Sequence, residues 1–184
     1  MSVALRQASH RVRLLAFAAA LAWAGCTWAD EYADVGALIR AGKAADAIAT
    51  ADQYLAGKPR DPQMRFLKGV AQSEAGRTAD AIATFTALNA EYPELPEPYN
   101  NLAVLYAGQS QFDKARAALE MAVRANPGYA VARENLGDVY AKLAAAEYAK
   151  AQQLDAANPT VGAKLTLIRQ LFAPAGPGRA PAAR

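Results

Sequence analysis

Histidine, cysteine and tryptophan are absent from this 184-residue chain after Ala29; His10, Cys26, Trp23 and Trp28 all precede it. Without them the rest of the chain cannot pair a serine or cysteine with an imidazole, ligate zinc through nitrogen or sulfur, or close a disulfide. Beyond Ala29 the serines are Ser73 and Ser110, and neither stands in a G-x-S-x-G or S-x-x-K setting. Gly76 and Gly108 read as helix ends, because no G-x-x-x-x-G-K phosphate loop occurs. These absences argue against an enzyme and against a metal or any other cofactor.

Excess charge is missing too. The net charge is +3, but Arg6, Arg11 and Arg13 lie in an acid-free stretch of 29 residues, and from Asp30 onward bases and acids balance at 17 each. A surface of that kind cannot displace counterions from phosphates as a nucleic-acid binder does. Nor is there a long apolar run: residues 14–24 are too few for a bilayer-spanning helix, which needs about 20. A basic start, a short apolar middle and small residues after it read as a secretory signal over residues 1–29. Two cleavage outcomes compete. Thr27-Trp28-Ala29 offers a cut before Asp30, whereas Trp23-Ala24-Gly25-Cys26 resembles a lipobox, departing at Trp23, whose cysteine is acylated. Both imply export to the periplasm or cell envelope. The second adds an outer-membrane lipoprotein anchor at Cys26, the one membrane attachment expected.

What is present is a period. Pro59, Pro93 and Pro127 are spaced by 34, as are Ala47, Ala81 and Ala115, and Gly42, Gly76 and Ser110. Asn101-Leu102 and Asn135-Leu136 keep the interval, as do Tyr106 and Tyr140. Each period holds two helical stripes. In the third, Tyr99, Leu102, Ala103 and Tyr106 recur at three and four residues, a break follows at 108–110, and Phe112, Ala115, Leu119, Ala122 and Val123 run to Pro127. Nothing alternates as a half-buried strand would, so the class is all-α. Small residues at fixed phases let helix axes approach, and a hairpin that cannot bury its own apolar face must share a core with its neighbours.

On these residues the chain resembles the tetratricopeptide repeat (TPR) family. The third period matches almost throughout, the second departs at Arg65 and Lys68, and the first is clear in its second helix, residues 44–56. The resemblance implies an α-solenoid of about three to four stacked hairpins, residues 30–157, with units near 30–59, 62–93, 96–127 and 130–157. The last unit is atypical: no turn follows Leu143, and the strong helix formers there predict one continuous helix from about Ala130 to Ala157. Residues 158–172, with Val161, Leu165, Ile168 and Phe172 on one stripe and Lys164, Thr166, Arg169 and Gln170 elsewhere, are expected to cap the stack. Residues 173–184, rich in Pro, Gly and Ala, are expected to be disordered.

Proteins of this family bind peptides or helices along the concave face made by first helices. By phase, the resemblance places Phe66, Val70, Glu74, Glu97, Asn100, Val104, Glu134, Asp138 and Lys142 on that face, although Phe66 at helical spacing suits a core position as well. The basic residues of the family's carboxylate clamp are missing, and acids dominate. The resemblance thus implies a scaffold for another envelope protein, binding a neutral or basic segment; the alternative is a self-associating structural lipoprotein, a homo-oligomer. Glu134 and Asp138 lie four apart, which fits a solvated face better than a cation site. Asn101 and Asn135 are expected to bond the backbone of a neighbouring helix.

Overall fold

The computed structural model describes residues 30–173, and eight helices account for most of them. They are α1 (Asp30–Arg40), α2 (Ala44–Gly57), α3 (Pro62–Glu74), α4 (Thr78–Glu91), α5 (Pro96–Gly108), α6 (Phe112–Ala125), α7 (Ala130–Leu154) and α8 (Pro159–Leu171). No strand occurs among the described residues, and the fold class is all-α, as expected. Residues 1–29, expected from their composition to be a signal segment and containing Cys26, and residues 174–184 lie outside the described residues.

The periodic columns are helix boundaries. Gly42, Gly76 and Ser110 all adopt left-handed backbone, with φ of 71°, 71° and 58°. Each closes its helix with the same two bonds: the Gly42 amide donates to the Ile39 carbonyl and the Lys43 amide to Leu38. Gly76 with Ser73 and Arg77 with Gln72 repeat the pattern, as do Ser110 with Ala107 and Gln111 with Tyr106. These bonds satisfy carbonyls that a helix end leaves open. A Cβ on Gly42 or Gly76 would meet nothing within 4 Å, so conformation and not room selects glycine there. Ser110 carries the strain of that conformation. Ser110→Gly is expected to stabilise by about 0.5–1 kcal/mol, seen as a higher urea midpoint at unchanged slope.

The proline column marks the other boundary. The amides of Asp61, Leu95 and Tyr129 close identical turns onto the carbonyls of Lys58, Tyr92 and Asn126. Pro62 and Pro96 then open their helices, where a missing N–H leaves no bond unmade.

In the fourth period the residue 34 beyond Ser110 is Ala144. Alanine is the strongest helix former and pays about 1–2 kcal/mol for left-handed backbone, so the hairpin turn is not made. The chain continues as α7, 25 residues without reversal. The linker turn reappears early, with the Asn158 amide on the Asp155 carbonyl. Helix α8 then packs back along α7, burying Val161 and Leu165. Its outer side is less polar than the sequence suggested: Leu167 and Leu171 are 66% and 64% exposed. They lie four apart, one turn above each other, on the side turned away from the Val161–Leu165 stripe.

The chain divides into two units, parted between Thr84 and Phe85 within α4. In the first, α1, α2 and α3 pack pairwise around Val35, Ala47, Ile48, Ala51, Met64 and Ala71. Tyr32 Oη donates to Asp61 Oδ2 at 2.6 Å and lies 2.9 Å from Tyr54 Oη, which itself approaches that carboxylate oxygen at 3.2 Å. The other oxygen of Asp61 accepts from the Met64 amide at 2.8 Å, capping α3. The bond to Asp61, then that to Tyr54, raises the Tyr32 pKa above the ordinary phenol range. Partial burial works to raise the Asp61 pKa, but the bonds from Tyr32, Met64 and Tyr54 outweigh it and hold it below its ordinary value.

In the second unit α5 packs on α6 and α7, α6 on α7, and α7 on α8. Leu102, Ala103, Ala115, Leu119, Ala122 and Val139 are buried there. Asn89 breaks the apolar pattern: it is 8% exposed and neither atom of its amide has a hydrogen-bond partner. The same phase holds Leu55 in the period before and Val123 in the period after. Burying an unpaired amide costs about 1–3 kcal/mol, so Asn89→Leu, which keeps the shape, is expected to stabilise by about 1–2 kcal/mol in urea unfolding.

Candidate functional site

Within the second unit the first helices of successive periods, α5 and α7, lie side by side. The seam is a side-chain bond: Asn135 Nδ2 donates to Asn100 Oδ1 at 2.9 Å. Asn101 instead donates to the Glu97 carbonyl of its own helix, four residues back, at 2.9 Å. The expectation that both asparagines bond a neighbour's backbone is therefore corrected. A short amide on a helix reaches its own preceding turn more readily than the next helix, and Asn135 meets a side chain before any backbone. Asn100, 7% exposed, belongs to this seam and offers little surface to a ligand.

One turn beyond the seam a pocket of about 170 Å³ opens between the two helices, lined by Ala103, Val104 and Ala107, by Leu119 beneath, and by Asn135, Asp138 and Val139. It exists because α5 presents Ala103 and Ala107, whose short side chains do not fill the space towards α7. Val104 stands 54% exposed at this pocket. Asp138 is its ionisable wall, and Glu134 is exposed one turn earlier on the same helix. Glu97 is exposed in the first turn of α5. Burial, then the Glu97 carboxylate, pushes the Tyr129 phenol above its ordinary pKa.

Lys142 follows Asp138 by one turn, but its ammonium sits 3.8 Å from the centre of the Phe172 ring and is held there by the cation–π attraction. The structure thus brings Val104 and Asp138 into one pocket, and Asn100 is bonded to its lining residue Asn135. Phe66 and Val70 are half-buried on α3 and Glu74 is the exposed last residue of that helix, all in the first unit. Ala107 was placed on the inward face by its phase, whereas the pocket residues Ala103, Leu119 and Val139 were not legible as site residues. The alanine phases signalled close packing, and only the pairing of helices shows where such packing leaves a gap.

The arrangement offers an apolar floor beside carboxylates, a surface that takes an aliphatic or small side chain together with a cationic group. Among the described residues no group of three or more His, Cys, Asp or Glu is placed to hold a metal ion. Among them, too, no helix is long and apolar enough to cross a membrane.

Two family models, each described as a tetratricopeptide repeat, match residues 35–96 and 72–136. A chloroplastic tetratricopeptide repeat domain-containing protein of Arabidopsis thaliana, PYG7, is 47% identical over 49 residues; the match spans 27% of this chain and 16% of that protein. Among solved structures, the Sgt2 TPR domain from Aspergillus fumigatus superposes with a TM-score of 0.60 at 18% identity, covering 64% of this chain and 80% of that one. The first TPR of Spaghetti (RPAP3), bound to the HSP90 peptide SRMEEVD, gives 0.58 at 16% identity, covering 62% and 90%. At these identities the likeness to the solved structures is one of fold.

Proposed function

Because the chain belongs to the tetratricopeptide repeat family, we propose that it is a scaffold of the bacterial cell envelope that binds a neutral or basic segment of another protein on the α5–α7 face. The observation that carries this reading is the pocket itself, where exposed Val104 stands beside Asp138 while Lys142, one turn further along α7, is engaged by Phe172. The polarity is the reverse of what an acidic ligand needs. The peptide on the RPAP3 domain ends in Glu-Glu-Val-Asp; Glu97, Glu134 and Asp138 would repel such a segment and attract lysine or arginine. Affinity comes from apolar contact in the pocket, and charge selects among partners.

Cross-linking in the envelope tests the reading. The Glu134→Lys/Asp138→Lys variant alters exposed residues and leaves the core intact. It is expected to lose at least tenfold in capture of the partner, about 1.4 kcal/mol or more; unchanged capture overturns the groove reading. The envelope location rests on the composition of residues 1–29, and the intact mass of the mature protein tests it. A chain starting at Asp30 means free export, and an acylated Cys26 means lipid attachment. A mass retaining Met1 overturns both.

One observation favours the alternative, self-association. Leu154, Leu167 and Leu171 are 89%, 66% and 64% exposed towards the end of the described chain, more apolar surface than a terminal helix needs to show. Light scattering separates the two: a dimer whose mass does not change on dilution supports self-association.

A further inference from the structure

Helix α1 leaves open a face that α3 and α7 bury. Ala37 shares its phase in the 34-residue period with Ala71 and Val139. Ala71 is wholly buried in the core that α3 shares with Ala47, Ile48 and Ala51 of α2. Val139 is 5% exposed on α7, against which α6 packs. In both cases the second helix of the period before lies against the helix that carries the residue. Ala37 is exposed, and among the described residues no helix precedes α1. It lines an open groove of about 460 Å³ with Asp34, Leu38 and Ala41 of α1 and Lys43 and Thr50 of α2.

The period also gives the charge of the helix that fits. Lys68 of α3 is the counterpart of Asp34, and its ammonium pairs with Asp52 on α2. Position 34 inverts that sign, so a helix lying on α1 must bring a base where α2 brings an acid. Among the described residues Asp34 has no ion-pair partner. Helix α8 meets the requirement, since the chain holds no acid after Asp155. Lys164 is exposed on α8, 5.2 Å from the Tyr148 ring, a looser hold than the 3.8 Å between Lys142 and Phe172. Leu167 and Leu171 follow Lys164 by three and seven residues, and Ala37 and Ala41 follow Asp34 by the same intervals. Laid on α1 in the same direction, α8 sets Lys164 on Asp34 and each leucine on an alanine, small enough to let the helix axes approach. That direction also brings the carbonyl end of α8 to Lys43, which the helix dipole favours.

We propose that copies of this chain join head to tail, α8 of one copy lying in the α1–α2 groove of the next, with Leu167 and Leu171 against Ala37 and Ala41 and Lys164 against Asp34. This rests on the reading of the exposed leucines as a contact between copies, and it names the surface they meet. The two faces differ, so the contact is heterologous: a joined pair keeps one face of each kind open, and further copies add in series. Apolar contact carries the affinity, while the exposed ion pair fixes direction and weakens with salt.

Light scattering on the full chain tests it. Across about a hundredfold rise in concentration the average mass is expected to grow at least about twofold and to pass that of a dimer. Two variants at exposed positions separate the faces: Asp34→Lys/Ala37→Lys blocks the groove, and Leu167→Glu/Leu171→Glu blocks α8. Each alone is expected to stay monomeric with unchanged helical circular dichroism. Mixed, they are expected to form a dimer that grows no further, because one intact groove meets one intact α8. Asp34→Lys alone is expected to weaken assembly about two- to fivefold, and adding Lys164→Glu to the same chain is expected to restore it. Unaltered chain that remains a monomer or stops at a dimer overturns the inference, as does a mixture that fails to pair. A groove variant that still dimerises by itself means that α8 pairs with α8, which leaves self-association standing and removes the head-to-tail contact. Association that neither variant changes lies elsewhere in the chain and overturns it as well.

Discussion

Phe85→Ala is expected to cost about 3–5 kcal/mol of stability. Phe85 is the largest wholly buried side chain among the described residues, at 0% exposure. Its phase is buried in all three periods, with Ala51 at 0% before it and Leu119 at 1% after it, yet the three side chains differ widely in volume. Each period has therefore been fitted to its own neighbours, and an alanine at 85 leaves a cavity that alanine at 51 does not. Folded domains of this size are stable by about 5–15 kcal/mol, so the loss removes a large share of the margin. Urea unfolding followed by circular dichroism checks it. Phe85→Leu, the residue of the next period, is expected to cost less than about 1.5 kcal/mol because most of the volume returns. Equal midpoints for the alanine and unaltered chains would mean the site collapses without penalty.

The second large effect belongs to Asp61. Asp61→Ala removes the cap on α3 and the acceptor shared by Tyr32 and Tyr54, a combined loss of about 2–4 kcal/mol. Tyr32→Phe, which removes one bond to the carboxylate, is expected to cost about 1–2 kcal/mol. The pH dependence follows from two opposite shifts. Asp61 has a folded pKa below its unfolded one, so its contribution is complete above the ordinary carboxylate range near about 4 and fades as pH falls below it. Tyr32 has a folded pKa above its unfolded one, so its contribution is complete below about 10 and fades as pH rises beyond that. Unfolding midpoints measured across pH should show both limbs. The alkaline limb should weaken in Tyr32→Phe and both should weaken in Asp61→Ala.

This cluster also marks the border of what the residues reveal on their own. Columns that recur every 34 residues, such as Gly42, Gly76 and Ser110, announce a backbone conformation, because glycine at a fixed phase has few other causes. Tyr32, Tyr54 and Asp61 recur nowhere, and only the packing of α1 against α2 and α3 brings them together. The continuous α7 could be anticipated, since Ala144 through Glu147 contains no residue that breaks a helix. Leu167 and Leu171 misled in the opposite direction: a stripe from Val161 to Phe172 is so clear that the apolar pair behind it escapes notice. The candidate site was legible in its charges and not in its shape. Glu134 and Asp138 follow from helical phase, whereas the pocket beside them depends on which side chains α5 leaves short.

The unbroken α7 has a bearing on protein engineering. Anyone wishing to lengthen this protein by duplicating a module would find the stretch from Pro96 to Tyr129 a transferable cassette, since it begins and ends on the same turn. A copy spliced in after Asp155 would inherit a starting point five residues short of the 34-residue register, rotated away from the direction its neighbours expect. Growth of the array is permitted before Ala130 and closed after it.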